Sequence, residues 1–182
     1  MKNKIKKNFL HVLCTTFILT QGFSGLKVFA YPDLPTMADN WGFTNGNAQY
    51  VKTRYWRYGS IDWSNAVSHA SEELHDSLAK ISITVSDSNS YNDCRIRISS
   101  NYWQNVPWAG ITYPPVNGVY AINLNSYTSE INREKIATHE IAHAFGLNDC
   151  EYTGYLMFNA QNGINTITDY EDKLFINRYG RF

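Results

Sequence analysis

The period of hydrophobic and polar positions changes several times along the chain, and each change marks an element. Residues 51–58, rich in tyrosine and β-branched side chains, predict a first strand. Trp63, Val67, Ala70, Leu74 and Leu78 then recur at spacings of three and four, which predicts a helix with one apolar face, capped by Ser60 or Asp62. Alternation returns at Ile81, Ile83 and Val85, and again where Ile96 and Ile98 interleave with Arg95 and Arg97, predicting two half-buried strands. Residues 103–118 contain Pro107, Pro114, Pro115 and two tryptophans, and predict a long loop. Residues 119–124 predict a further strand, expected at the sheet edge. Ala137, Ile141, Ala144 and Phe145 mark the inward face of a second helix, with Ser129 as its cap and Glu130 and Glu134 near its positive end. Thr168 and Glu171 form a capping box for a last helix, anchored by Leu174 and Phe175 and stopped by Gly180. The order strand, helix, three strands, helix, helix predicts one α+β domain with a mixed, twisted sheet.

Composition changes this picture mainly at the N-terminus. The 182 residues, 43% hydrophobic, suit one globular domain. Lys2, Lys4, Lys6 and Lys7 precede a short apolar run, and Val28-Phe29-Ala30 offers a small-residue cleavage point, so residues 1–30 are expected to be a signal peptide. The run is too short and too interrupted to span a membrane. Residues 31–47, rich in Pro, Asn and Gly, predict an irregular arm, and 48–182 the functional domain. The leader holds five of the sixteen basic residues (Lys27 is the fifth) and no acidic one, so the remainder sets 11 basic against 16 acidic groups, a formal −5. A negative exported domain is not expected to bind nucleic acid or an anionic membrane.

The stretch from His139 to Asp149 reads H-E-I-A-H-A-F-G-L-N-D. Histidines four apart lie on one helix face, one turn above each other, where two imidazoles reach one metal ion at the ~2.0–2.1 Å that zinc–nitrogen bonds require. Glu140 borders the same face and is placed to hold a water rather than the metal. Gly146 can take the left-handed conformation that ends the helix and turns the chain back. Asp149 then returns as a third ligand, leaving a fourth position open, as catalytic zinc sites do.

This stretch resembles the extended zinc signature of the metzincin metalloproteases, with Asp149 where most members carry a third histidine, as in the snapalysin-like enzymes. No histidine follows His143. The resemblance implies a small metzincin-like domain, with an active-site helix and a matrixin-like C-terminal helix, and gives Met157 the part of the methionine beneath the zinc. Asn159 stands where astacin- and serralysin-like members have a switching tyrosine, so that role is not carried over; Tyr155 and Tyr170 are the nearest tyrosines. The expected activity is a secreted zinc endopeptidase: a zinc-activated water attacks the peptide bond, Glu140 is general base, and the protein substrate lies extended along an edge strand of a monomer. The alternative is a secreted zinc-binding effector that cuts nothing.

Two cysteines remain after the leader. In an oxidising compartment Cys94 and Cys150 are expected to pair, which in a chain-entropy account adds about 4 kcal/mol and pins the loop carrying Asp149. The competing use of Cys150 is as a zinc ligand itself. Asp87 and Asp93, in the polar connector 86–93, make a calcium loop conceivable, although a plain turn fits the spacing better. His69 and His75, six apart among acidic residues, fall on different helix faces and are expected to be solvated.

Overall fold

Strict alternation builds the sheet. Ile96, Ile98 and Ser100 in β3 (Ile96–Asn101), and Tyr120, Ile122 and Leu124 in β5 (Val119–Asn125), are all buried, while the residues between them are more exposed. The structure is a computed structural model that describes residues 33–44, 48–127, 132–160 and 162–182. The expected leader and the proposed cap Ser129 lie outside these residues.

Five strands form one sheet in the order β2-β1-β3-β5-β4, where β1 is Gln49–Arg57, β2 Ser82–Val85 and β4 Gly110–Val116. The first four of these run parallel and β4 runs antiparallel to β5. Helix α1 (Ser64–Asp76) packs on β2 and on helix α2 (Arg133–Ala144), which in turn packs on β4 and β5; α3 (Asp169–Tyr179) closes the chain. The apolar stripe of α1 is buried at Trp63, Val67, Ala70 and Leu74. Leu78 is beyond the helix end and half exposed. Asp62, at the helix start, accepts from the backbone N–H of Ser64 at 2.9 Å.

Two expectations about the sheet are corrected together. Residues 103–118 are not one loop, because their second half is β4, and β5 is therefore interior rather than an edge. Pro114 and Pro115 concealed the strand. Proline removes a ladder donor, which an edge strand tolerates, and the register with β5 slips at this point, between Tyr113 and Val116. The first half of the segment stays a loop, tied to the sheet by Asn125. Its amide donates to the carbonyls of Trp103 (2.9 Å) and Trp108 (3.3 Å), and its oxygen accepts from Trp103 N at 3.1 Å.

Residues 33–44, the described part of the arm, form no helix or strand but are firmly docked. Ala38 N donates to Gly146 O at 2.7 Å, and Thr36 O and Asp33 O accept from Asn148 N and Glu151 N at 2.9 and 3.1 Å. Arg178 of α3 donates to the carbonyls of Ala38 and Trp41. The arm thus lines the segment that follows α2.

Candidate metal centre and its cleft

Helix α2 is buried along almost its whole length, with Ala137, Ile141 and Ala144 in the core, followed by Phe145. Its end is a complete Schellman motif: Leu147 N donates to Ala142 O at 3.2 Å and Gly146 N to His143 O at 2.8 Å. Gly146 has φ 99°, so its conformation favours glycine, and a Cβ there would lie 2.7 Å from an Arg178 nitrogen and displace that guanidinium. The reversal brings Leu147 O to His143 Nδ1 at 2.7 Å. Beneath the site, Leu156 O lies 3.0 Å from His139 Nδ1. A carbonyl only accepts, so both rings carry their proton on Nδ1 and, when neutral, present a bare Nε2 lone pair.

Those two Nε2 atoms face the same oxygen. Asp149 Oδ1 is 3.0 Å from His139 Nε2 and 3.5 Å from His143 Nε2, and one ligand atom from each of the three residues lies within 4.8 Å of the others. Bonds of ~2.05 Å in a tetrahedral shell separate neighbouring ligand atoms by ~3.3 Å. The separations of 3.0 and 3.5 Å bracket that value. Three electron-rich atoms at these distances repel unless a positive charge sits among them, either a proton on an imidazole or a metal ion. The two imidazoles and one carboxylate therefore fit a zinc-type divalent ion. The same electrostatics appears in the titration. Burial opposes ionisation of Asp149, but hydrogen bonds and charge from His139 and His143 outweigh it and hold the carboxyl well below its usual range. Burial also disfavours charging His143, and is overcome by Asp149 and Glu140, which raise its pKa.

The loop from Asp149 onward is held from both sides. Cys150 N donates to Met157 O at 2.9 Å and Asn159 N to Cys150 O at 3.3 Å. Met157 is fully buried, next to the Leu156 carbonyl that orients His139. Glu171 accepts from Met157 N (2.9 Å) and Leu156 N (3.4 Å) while closing the capping box with Thr168. The carboxylate that starts α3 thus also holds the turn beneath the site.

Glu140 is buried beside the ligands and faces Thr112 of β4, whose Oγ1 is 2.7 Å from both Glu140 Oε2 and Glu140 O. This hydroxyl serves either protonation state. It donates to the carboxylate, or it accepts from the protonated acid while donating to the main-chain carbonyl. Gly110 lets β4 come this close, since a Cβ there would lie 2.6 Å from Glu140 Cγ and 2.8 Å from Ile136 Cγ2. The cleft has a volume of about 620 Å³, bounded by Trp41, Trp108, residues 110–112, Lys135 and residues 158–160, with His139, Glu140, His143 and Asp149 in its wall. Trp41 of the arm sets its ring edge-on against His143, 6.1 Å between centroids.

The expected disulfide is corrected. Cys94 and Cys150 are free, each bonded within its own stretch of chain: Cys94 Sγ donates to Ser90 O at 3.1 Å and Cys150 Sγ to Tyr152 O at 3.5 Å. Burial pushes both thiols up, which keeps them protonated, and Cys150 is not among the clustered ligand atoms. The docked arm and Met157 O restrain the loop instead. Tyr155 and Tyr170 contact each other as tilted rings, 5.3 Å between centroids, and do not line the cleft, whereas Asn159 does. His69 is not simply solvated: Nε2 sits 3.2 Å from Asn165 O and 4.0 Å from Glu134. His75 is exposed. Among the described residues Asp87 and Asp93 join no ligand cluster, and Asn89 ties their connector to Thr53 O and Thr84 O.

Sequence reasoning missed Gly110, Thr112, Lys135, Trp41 and the second duty of Glu171. Only Lys135 had a readable signal, standing one turn before His139 on the ligand face.

No protein-family model and no curated protein sequence matches the chain. Among solved structures, that of myroilysin superposes with a TM-score of 0.58 at 12% sequence identity, covering 80% of this chain and 98% of that one. The likeness is one of fold, and agrees with the α+β single domain. No helix of the described residues is long and apolar enough to cross a membrane.

Proposed function

We propose that the chain is a secreted zinc-dependent endopeptidase. The observation that carries this reading is the position of the Glu140 carboxylate beside three convergent ligand atoms, in the wall of an open cleft. A purely structural metal site has no use for such a group. The metzincin-like fold is consistent with it.

His139, His143 and Asp149 would hold the ion, which when bound polarises a carbonyl and lowers the pKa of water. Glu140 takes the proton of the attacking water as its oxygen adds to the scissile carbonyl carbon. The same carboxyl then returns that proton to the nitrogen as the carbon–nitrogen bond breaks. Thr112 keeps Glu140 aimed through both states. The substrate would lie extended beside β4, the edge strand whose residues 110–112 line the cleft, and pair with its free backbone groups.

Purified protein lacking residues 1–30 is expected to cleave casein or gelatin, to lose the activity to a chelator, and to lose about 10³-fold in Glu140→Ala with the metal retained. A folded, zinc-loaded protein that leaves both substrates intact would instead fit the non-proteolytic zinc-binding effector.

A further inference from the structure

Lys135, His139 and His143 are four apart in turn, so one face of α2 carries an ammonium group one helical turn, ~5–6 Å, before the first ligand. The residue is 6% exposed and lines the cleft. Its Nζ donates to Phe158 O and Ala160 O, each at 2.8 Å, so that the lysine bridges from the helix to the strap forming the opposite wall. Both partners are neutral. An ammonium has three N–H donors, and the third has no partner among the described residues. Asp149, Glu140 and Glu171 act on it through space, but none of them forms an ion pair with it. Asn159, on the strap that Lys135 holds, also lines the cleft and adds an amide donor.

A desolvated cation with no carboxylate in direct contact is costly, and nothing about bridging two carbonyls requires a charge. We propose that Lys135 is a specificity residue that recognises a carboxylate of the bound peptide, one residue or so from the scissile bond. The inference rests on the peptidase reading and gives its substrates a chemical class. That carboxylate is either an aspartate or glutamate side chain or the peptide's own C-terminus. Both offer the oxygens that complete the third N–H bond and neutralise the charge.

The test uses matched peptides that carry Asp or Asn next to the cleavable bond, each with a free or an amidated C-terminus. Cleavage is read as kcat/KM, and affinity is read separately on Glu140→Gln protein. The wild type is expected to favour the carboxylate-bearing member of a pair by about tenfold or more, mainly through KM and affinity. Preference for Asp in amidated peptides identifies a side-chain carboxylate; preference only for free C-termini identifies the terminal one. Lys135→Met should bring the ratio to about one, and Lys135→Arg should keep it. Equal handling of the members of each pair by the wild type overturns the inference, whether or not the Met variant folds. So does a Lys135→Met protein that is less stable but equally selective, since Lys135 would then only tie the helix to the strap. Carboxylate-selective binding without any cleavage would keep the assignment of Lys135 and remove the peptidase reading.

Discussion

The proposed metal site is made of two regions that reach the same point by different physics. Helix α2 supplies His139 and His143 through its own repeat, and their spacing along one face is settled by the helix alone. The segment 145–160 has no repeat. It places Asp149 only because other parts of the chain hold it: the arm through Thr36 O and Asp33 O, Met157 O through Cys150 N, and Glu171 through Leu156 and Met157. One ligand source is therefore buried and rigid by local rules. The other keeps an Asp149 side chain that is 57% exposed and depends on contacts far away in sequence. A half-exposed carboxylate between one buried and one part-buried imidazole suits an ion that must leave one position open.

This contrast can be broken at its strongest point first. Asp149→Ala is expected to abolish tight zinc binding while the fold survives, because the exposed side chain supports no packing; Asp149→His, which restores three imidazoles, should keep zinc. Metal content of the two purified variants decides it, and full occupancy in Asp149→Ala would assign the ligand elsewhere.

Next in size is Glu171→Ala, 22 residues beyond Asp149 and touching no ligand. It strips a buried acceptor from Met157 N, Leu156 N and Thr168, and is expected to cost about 3 kcal/mol of stability. The Leu156 carbonyl then orients His139 less firmly, so zinc affinity should also fall by about 10- to 100-fold. Denaturant melts and a zinc-competition titration separate the two effects. A variant of lowered stability but unchanged affinity would show that the loop does not depend on this anchor.

At the junction of the two regions, Gly146→Ala meets a positive φ and the Arg178 guanidinium, and is expected to cost about 2 kcal/mol. Thermal unfolding measures this, and a change below a few tenths would mean that the junction can relax.

The effect that is smallest at neutral pH concerns the same junction and grows only at high pH. Tyr179 donates to Phe145 O at 2.5 Å and accepts from Phe43 N at 3.2 Å, and burial pushes its pKa up to about 12. A tyrosine in the unfolded chain titrates near ~10. The folded form thus favours the protonated phenol. Its contribution, on the order of 2 kcal/mol, is complete below pH ~10 and is lost as pH rises towards 12. Tyr179→Phe should be slightly less stable at neutral pH and should lose that alkaline slope. An identical slope in both proteins would place the titrating group elsewhere.

By itself the sequence determined what repeats locally. The faces of α1 and α2, the alternation in β3 and β5, the capping box at Thr168 and the pairing of His139 with His143 all depend on neighbours within a few residues, so they could be read directly. The approach of Asp149 to the two imidazoles was legible for a related reason, since Gly146 marks where the chain must reverse and Asp149 follows three residues later. Tertiary structure alone decided what depends on distant partners. Two prolines spoke against a strand at 110–116, and only the free edge of the sheet made them tolerable. Thr112 reaches Glu140 across 28 positions, and Gly110 is needed only because β4 crosses α2 so closely. The cysteine pair read as a clamp on the Asp149 loop. Each thiol instead bonds a carbonyl in its own segment, and the docked arm restrains the loop through backbone hydrogen bonds that carry no side-chain signature.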